Sequence, residues 1–197
     1  MRYVVAAFIL TALATSGCVP TLIAAGGEGA AVVSQERSVG NAVDDAGILL
    51  SIKHRFAKAD FKDLLANVDV KVVEGRVLLA GNVDKPESQI TAVRLVWEIK
   101  GVREVINEIK ISDQSGLLNY TRDVWISTQI RTRLITTNGI RSINYSVITV
   151  NQVVYLMGIA QDQAELDKVT YIASTTSYVQ KVVSYAQLKN DPRRVKL

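Results

Sequence analysis

Val77-Leu78-Leu79-Ala80-Gly81 and Val154-Tyr155-Leu156-Met157-Gly158 stand 77 residues apart, and each is an apolar run closed by a glycine. The same offset of 77 relates Val102-Arg103-Glu104-Val105-Ile106 to Val179-Gln180-Lys181-Val182-Val183. Upstream, Ile52-Lys53-His54-Arg55-Phe56 and Ile130-Arg131-Thr132-Arg133-Leu134 are 78 apart. One shared apolar block could arise by chance. Three blocks in one order, at nearly one offset, mean that a unit of about 70 residues occurs twice.

Working outward from these blocks, each copy reads as helix, strand, strand, helix, strand. The first helices are expected over 45–59 and 123–136, because Ile48, Ile52 and Phe56, like Ile126, Ile130 and Leu134, share one helical face. Asp44-Asp45 is expected to cap the first of them, since an acid there satisfies free N–H groups and the helix dipole. Val68, Val70 and Val72 alternate with polar residues, then Glu74-Gly75 turns the chain into a strand over 76–83. The second copy repeats this with 143–150, a turn at Asn151-Gln152, and 153–160. Second helices are expected over 86–100 and 163–178; Pro86 suits a first helical turn and Gly101 a helix end. Closing strands follow over 102–111 and 179–188. A helical crossover makes the last strand parallel to its neighbour, while the hairpin is antiparallel. The expected class is therefore α+β: two tandem αββαβ domains, each a three-stranded mixed sheet with two helices on one face. The domains span 44–112 and 121–190, with a linker over 113–120 and a basic tail over 191–197. Whether they pack together is open, and the polar alternation on one sheet face leaves that face available to a partner.

The amino terminus has a different character. Arg2 precedes an apolar stretch, Val4 to Ala14, too short for a permanent membrane span. Thr15, Ser16 and Gly17 then lead to Cys18, the sole cysteine. Residues 1–17 read as a signal peptide, and small residues before a cysteine resemble the lipobox of bacterial lipoproteins. That resemblance implies cleavage before Cys18 and acylation of its thiol; Val19, where an Asp would imply retention at the inner membrane, implies sorting to the outer membrane. Residues 19–43, with Gly26-Gly27, read as a tether from the lipidated Cys18. A short helix lying on the membrane over 19–33 is the other reading.

The strands ending in Gly81 and Gly158, the Gly101-Val102 step, Asp44-Asp45 and the Asp123-Val124-Trp125-Ile126 opening together resemble the BON domain. With the lipobox, everything after Cys18 resembles the dual-BON outer-membrane lipoproteins. The resemblance implies a lipid-anchored protein on the periplasmic face of the outer membrane. It also implies binding to anionic phospholipid, support of envelope integrity, and association with division sites. The family's lipid-binding helix corresponds to Asp123-Val124-Trp125-Ile126 with Arg131 and Arg133.

The residues themselves point to the same helix. Ile126, Ile130 and Leu134 set its core stripe, and Trp125 lies roughly 140° from the stripe's centre. Its counterpart in the first copy is Gly47. Val124 and Ile135 also lie off the stripe, Arg122 is three residues from Trp125, and Arg131, Arg133 and Arg141 add positive charge. An indole beside guanidinium groups suits the headgroup zone of an anionic membrane. The expected lipid-binding set is Arg122, Val124, Trp125, Arg131 and Arg133. The alternative is that Trp125 packs between the two domains. Trp97, which shares a helical face with Ile90 and Val93, is expected in the core.

Nothing points to catalysis. His54 is the only histidine, so a His metal cluster is excluded, and its place between Lys53 and Arg55 suits an exposed helix position. Gly26-Gly27-Glu28-Gly29 lacks the Lys and the preceding strand of a phosphate loop. A net charge of +4 without a basic run gives no reason to expect nucleic acid. No catalytic or metal site, no cofactor beyond covalent lipid on Cys18, and no small-molecule substrate are expected. The second functional reading is a non-enzymatic periplasmic adaptor for another envelope or division protein.

Overall fold

A computed structural model describes residues 36–58, 62–112 and 117–194. The expected signal peptide, Cys18 and the tether as far as residue 35 lie outside the described residues, as do 113–116 of the linker and 195–197 of the tail. The first repeat comprises α1 (Val39–Lys58), α2 (Lys62–Asn67), β1 (Val68–Val73), β2 (Arg76–Val83), α3 (Pro86–Trp97) and β3 (Glu104–Ile111). The second comprises α4 (Leu117–Thr136), a single 3₁₀ turn (Ser142–Asn144), β4 (Tyr145–Val150), β5 (Val153–Ala160), α5 (Gln163–Ser174), β6 (Lys181–Ser184) and β7 (Gln187–Leu188). In both, the hairpin is antiparallel and the crossover strand parallel: β1-β2-β3, and β4-β5-β6 with β7 continuing alongside β5. The closing strand expected over 179–188 is thus interrupted at Tyr185-Ala186.

The apolar runs that fixed the duplication are explained by burial on both faces. Val77 and Leu79 of β2 point to α1 and α3, within a core that includes Ile52, Phe56 and Ala92. Leu78 and Ala80 point the other way and meet the second repeat. Val154 and Leu156 of β5 pack on Ile126, Ile130 and Leu134 of α4. Tyr155 and Met157 return to the first repeat with Val73 and Ile106. The molecule is therefore a four-layer stack, helices–sheet–sheet–helices, and the sheet face expected to be open to a partner is closed by the other copy. The terminal glycines mark close approach of backbone. A Cβ on Gly81 would lie 1.9 Å from the Asn67 carbonyl oxygen, and one on Gly158 2.1 Å from that of Asn144.

Three expectations are corrected. Both first helices begin six residues early, at Val39 and Leu117, so part of the expected tether and part of the expected linker are helical. The cap of α1 is Ser38, whose hydroxyl accepts from the Asn41 N–H at 3.1 Å. Asp45 lies inside α1 and caps nothing there; it accepts from the Glu74 and Gly75 N–H groups, at 2.8 and 2.9 Å, across the β1–β2 turn. Trp97 is 52% exposed, because α3 sets small residues, Ser88 and Ala92 with Val96, against the sheet and leaves its bulky face outside. The tail is docked as far as Arg194, which donates to both carboxylate oxygens of Glu74.

Polar contacts also join the two copies. The Tyr185 hydroxyl donates to the Glu108 carboxylate on β3, and Arg76 Nη1 donates to the Tyr185 carbonyl at 2.9 Å. Burial pushes the Glu108 carboxyl up, but the Tyr185, Lys110 and Tyr155 groups around it outweigh burial and hold it below its ordinary 4.5. Burial, then Glu108 itself, pushes Tyr185 up to about 12. A depressed folded carboxylate stabilises fully above its unfolded value and loses that contribution as pH falls through the folded one; a raised tyrosine loses its own as pH rises from about 10 towards 12. The urea midpoint of the parent is therefore expected to fall on acidification below about pH 4.5, and Glu108→Gln to flatten that limb. Parallel acid limbs for the two proteins would rule the contact out as their source.

Candidate functional site

The α4 helix lies in the outer layer of the second repeat, and its core stripe leaves a broad arc facing outward. Trp125 sits on that arc, 42% exposed, and is not enclosed between the domains. Its ring meets Tyr178 edge to face, with centroids 5.7 Å apart and planes at 75°. The Arg122 guanidinium lies over the same Tyr178 ring at 5.7 Å. The result is a surface cluster of one indole, one phenol and one guanidinium, with Tyr178 at its centre and 62% exposed.

Tyr178 was not anticipated from the sequence. It follows α5 with φ of 68°, a left-handed conformation that a bulky residue rarely adopts. The repeat supplies the signal that could have found it. Val102 pairs with Val179 at an offset of 77, which sets Tyr178 opposite Gly101, itself at φ 95°. Trp125 stands opposite Gly47, where an added Cβ would meet nothing within 4 Å. The second copy thus carries two aromatic rings, in mutual contact, at the two positions where the first carries glycine. One of these rings is held at a backbone geometry that costs on the order of 1 kcal/mol.

The five expected residues do not form one patch. Arg122 and Trp125 share the Tyr178 cluster. Arg133 is drawn under it: Nη1 donates to the Ile172 carbonyl and the Thr176 hydroxyl, both at 2.9 Å, and Nη2 to Thr175 at 3.1 Å. That guanidinium ties down the carboxy end of α5 and the segment presenting Tyr178, so it positions the cluster. Val124 and Arg131 lie about 100° or more around α4 from Trp125. They line a groove between the repeats, where Arg131 Nη2 donates to the Val147 carbonyl at 2.6 Å. Arg141 is paired with Glu36 at 2.8 Å. His54 is exposed on α1.

Among the described residues, no group of three or more His, Cys, Asp or Glu is placed to hold a metal ion, and no helix is long and apolar enough to cross a membrane.

The BON domain family matches residues 44–113 and 122–190, the two repeats. A protein of Anaplasma centrale, named as an uncharacterized protein in the gshII 5′ region, is 42% identical over 77% of this chain and 99% of its own length. The outer membrane lipoprotein DolP of Haemophilus influenzae is 30% identical, over 85% of this chain and 86% of its own. A 21 kDa hemolysin of Actinobacillus pleuropneumoniae is 30% identical over 75% of each.

Proposed function

The chain belongs to the BON-domain family, in its two-domain DolP type, and from that premise we propose that it is an envelope lipoprotein that binds anionic phospholipid through its second repeat. The observation that carries this reading is the exposed Arg122–Tyr178–Trp125 cluster, whose two rings stand where the other copy carries glycine. A half-wet indole and phenol suit the headgroup zone, and a guanidinium stacked on a ring keeps N–H groups directed at phosphate. Each cation at such a surface contributes about 1 kcal/mol, so the contact is weak and reversible alone. Acyl chains on Cys18 would hold the body close by and raise its local concentration. Attachment to the outer membrane agrees with the name borne by the DolP relative, and the periplasmic face belongs to the same reading. Support of envelope integrity, and action at division sites, belong to the same reading. The role is non-enzymatic.

The test is co-sedimentation of residues 19–197, which lack both the signal peptide and the lipidated cysteine, with phosphatidylglycerol vesicles. Trp125→Ala is expected to weaken binding about tenfold, the equivalent of about 1.4 kcal/mol for half-burying a large ring. Tyr178→Gly is the sharper variant. It removes a ring from the membrane face yet relieves the left-handed strain, about 1 kcal/mol, which offsets the lost ring contact of similar size. Vesicle binding should fall severalfold while the melting temperature stays within about 3 °C of the parent. Unchanged partitioning of both variants would remove the cluster from the lipid site.

A further inference from the structure

Between the repeats runs a groove of about 570 Å³, a volume and an interdomain position typical of binding sites. Its walls come from different copies. From the first repeat, α2 and β1 contribute Leu65, Asn67 and Lys71; from the second, α4 contributes Tyr120, Val124 and Arg131. The copies are joined at the groove by Asn151 Nδ2 donating to Asn82 Oδ1 at 3.0 Å.

Strand β4 borders the groove but offers no backbone to a ligand. Val147 and Thr149 are 1% and 8% exposed, and the Val147 carbonyl already accepts from Arg131. Recognition therefore falls to side chains, and these are of two kinds. The first are amides. Asn82 and Asn151 are half-buried, and the bond between them uses one oxygen and one N–H. It leaves the Asn82 Nδ2 donors and the Asn151 Oδ1 acceptor close together, with no other partner among the described residues. Such a pair matches two neighbouring hydroxyls, one accepting and one donating. Asn67, exposed on the rim, adds a further amide. The second kind is apolar and accessible: Tyr120 is 67% exposed, and Val124 and Leu65 are half-exposed. Formal charge along the lining cancels, Lys71 and Arg131 against Asp69 and Asp123, which gives a polyanion no advantage. An acyl chain fits poorly, because it would strip water from the amides of Asn67, Asn82 and Asn151.

We infer that this groove binds an oligosaccharide, an uncharged chain of sugar rings. A sugar ring is divided as the groove is. Its C–H face is apolar and stacks on an aromatic ring, while its edge carries hydroxyls that each donate and accept. Tyr120 takes the C–H face, and the Asn82–Asn151 pair takes neighbouring hydroxyls. Selectivity follows from the amides, which lose their water without return to any ligand that lacks such groups. Tyr120 lies roughly 140° around α4 from Trp125, so the groove and the Tyr178 cluster address different surfaces, and the inference goes beyond the lipid reading. Two sources carry this ring chemistry: a cell-wall glycan strand and the sugar chain of a membrane glycolipid.

The test is isothermal titration of the lipidated chain, in micelles of a detergent without sugar headgroups. Two probes are used: the tetramer of N-acetylglucosamine, standing for cell-wall glycan, and lipid-free sugar chains released from membrane glycolipid. Saturable binding of at least one is expected, and which one binds names the source. Tyr120→Ala should weaken it about tenfold, whereas Tyr120→Phe, which keeps the stacking face, should stay within about twofold of the parent. Co-sedimentation with phosphatidylglycerol vesicles should be unchanged in both variants. The side-chain amide resonances of Asn82 and Asn151 should shift on saturation, a readout in the parent that needs no substitution at the joint between the repeats. Absence of binding by both probes, equal binding by the parent and Tyr120→Ala, amide resonances that stay in place, or occupation of the groove by a fatty acid or a peptide instead, would each overturn the proposal.

Discussion

Replacing Arg194 with alanine is expected to cost about 3–5 kcal/mol of unfolding free energy, although the residue lies in the tail beyond β7. The side chains of Arg194 and Glu74 are 9% and 4% exposed. Arg194 Nε and Nη2 reach the two Glu74 oxygens at 3.0 and 2.7 Å, and Nη2 also donates to the Glu36 carbonyl at 3.0 Å. The pair therefore joins the tail of the second repeat to the β1–β2 turn of the first and to the segment leading into α1. Without the guanidinium, the Glu74 carboxylate stays buried, close to the Asp45 carboxylate that holds the same turn. Loss of one partner costs more than loss of both, because an unpaired charge is left out of water. The combined variant Glu74→Gly, Arg194→Ala should consequently recover most of the loss, since Glu74 adopts φ of 53°, where glycine is at ease. Urea unfolding checks both statements. A single variant within about 0.5 kcal/mol of the parent, or a double variant no better than the single, would show that the pair does not hold the tail.

The duplication and the element order were legible because they are written in local pattern; the two-sided burial of β2 and β5 was not expected, although the runs carried its signal. Val77 to Ala80 has no polar alternate, and such a run belongs to a strand covered on both faces. What lies on the second face is a long-range fact, and no spacing states that Leu78 meets the other copy. The early starts of α1 and α4 were hidden because their apolar stripes begin only at Ile48 and Ile126, a turn or more inside each helix. The short α2 has a single buried anchor, Leu64, and six residues show no period. Trp97 misled because size and spacing argued for the core, whereas close approach of α3 to the sheet selects small side chains. At the candidate site, Trp125 and Arg122 follow from helix geometry. Tyr178 follows only from aligning the copies, since a tyrosine in a loop has no periodic signature. That Arg133 and Arg141 are taken up by the α5 end and by Glu36 is again tertiary.

Asp123→Ala is the other change expected to be severe, at about 3 kcal/mol, and the duplication explains why. Asp123 Oδ2 accepts from the Asn151 N–H at 2.7 Å and Oδ1 from the Gln152 N–H at 2.8 Å, as Asp45 does from Glu74 and Gly75 in the other copy. All four turn residues have positive φ: 53° and 72° in the first hairpin, 49° and 64° in the second. Such turns match the twist of a hairpin but favour glycine or asparagine, and Gln152 is poorly suited. The carboxylate thus holds a strained turn shut from a neighbouring helix, in each repeat by the same residue. Hydrogen bonds to a charged acceptor contribute about 1.5–3 kcal/mol each, and alanine leaves two half-buried N–H groups unpaired, so a fall of about 10 °C in melting temperature is expected. Asp123→Asn keeps one acceptor and should lose about half as much. Gln152→Gly should stabilise the parent by about 1 kcal/mol by relieving the backbone, and should partly rescue Asp123→Ala, because a relaxed turn needs its clamp less. Equal losses from Asp123→Ala with and without Gln152→Gly would mean that the carboxylate supplies only its hydrogen bonds and has no hold on the strain.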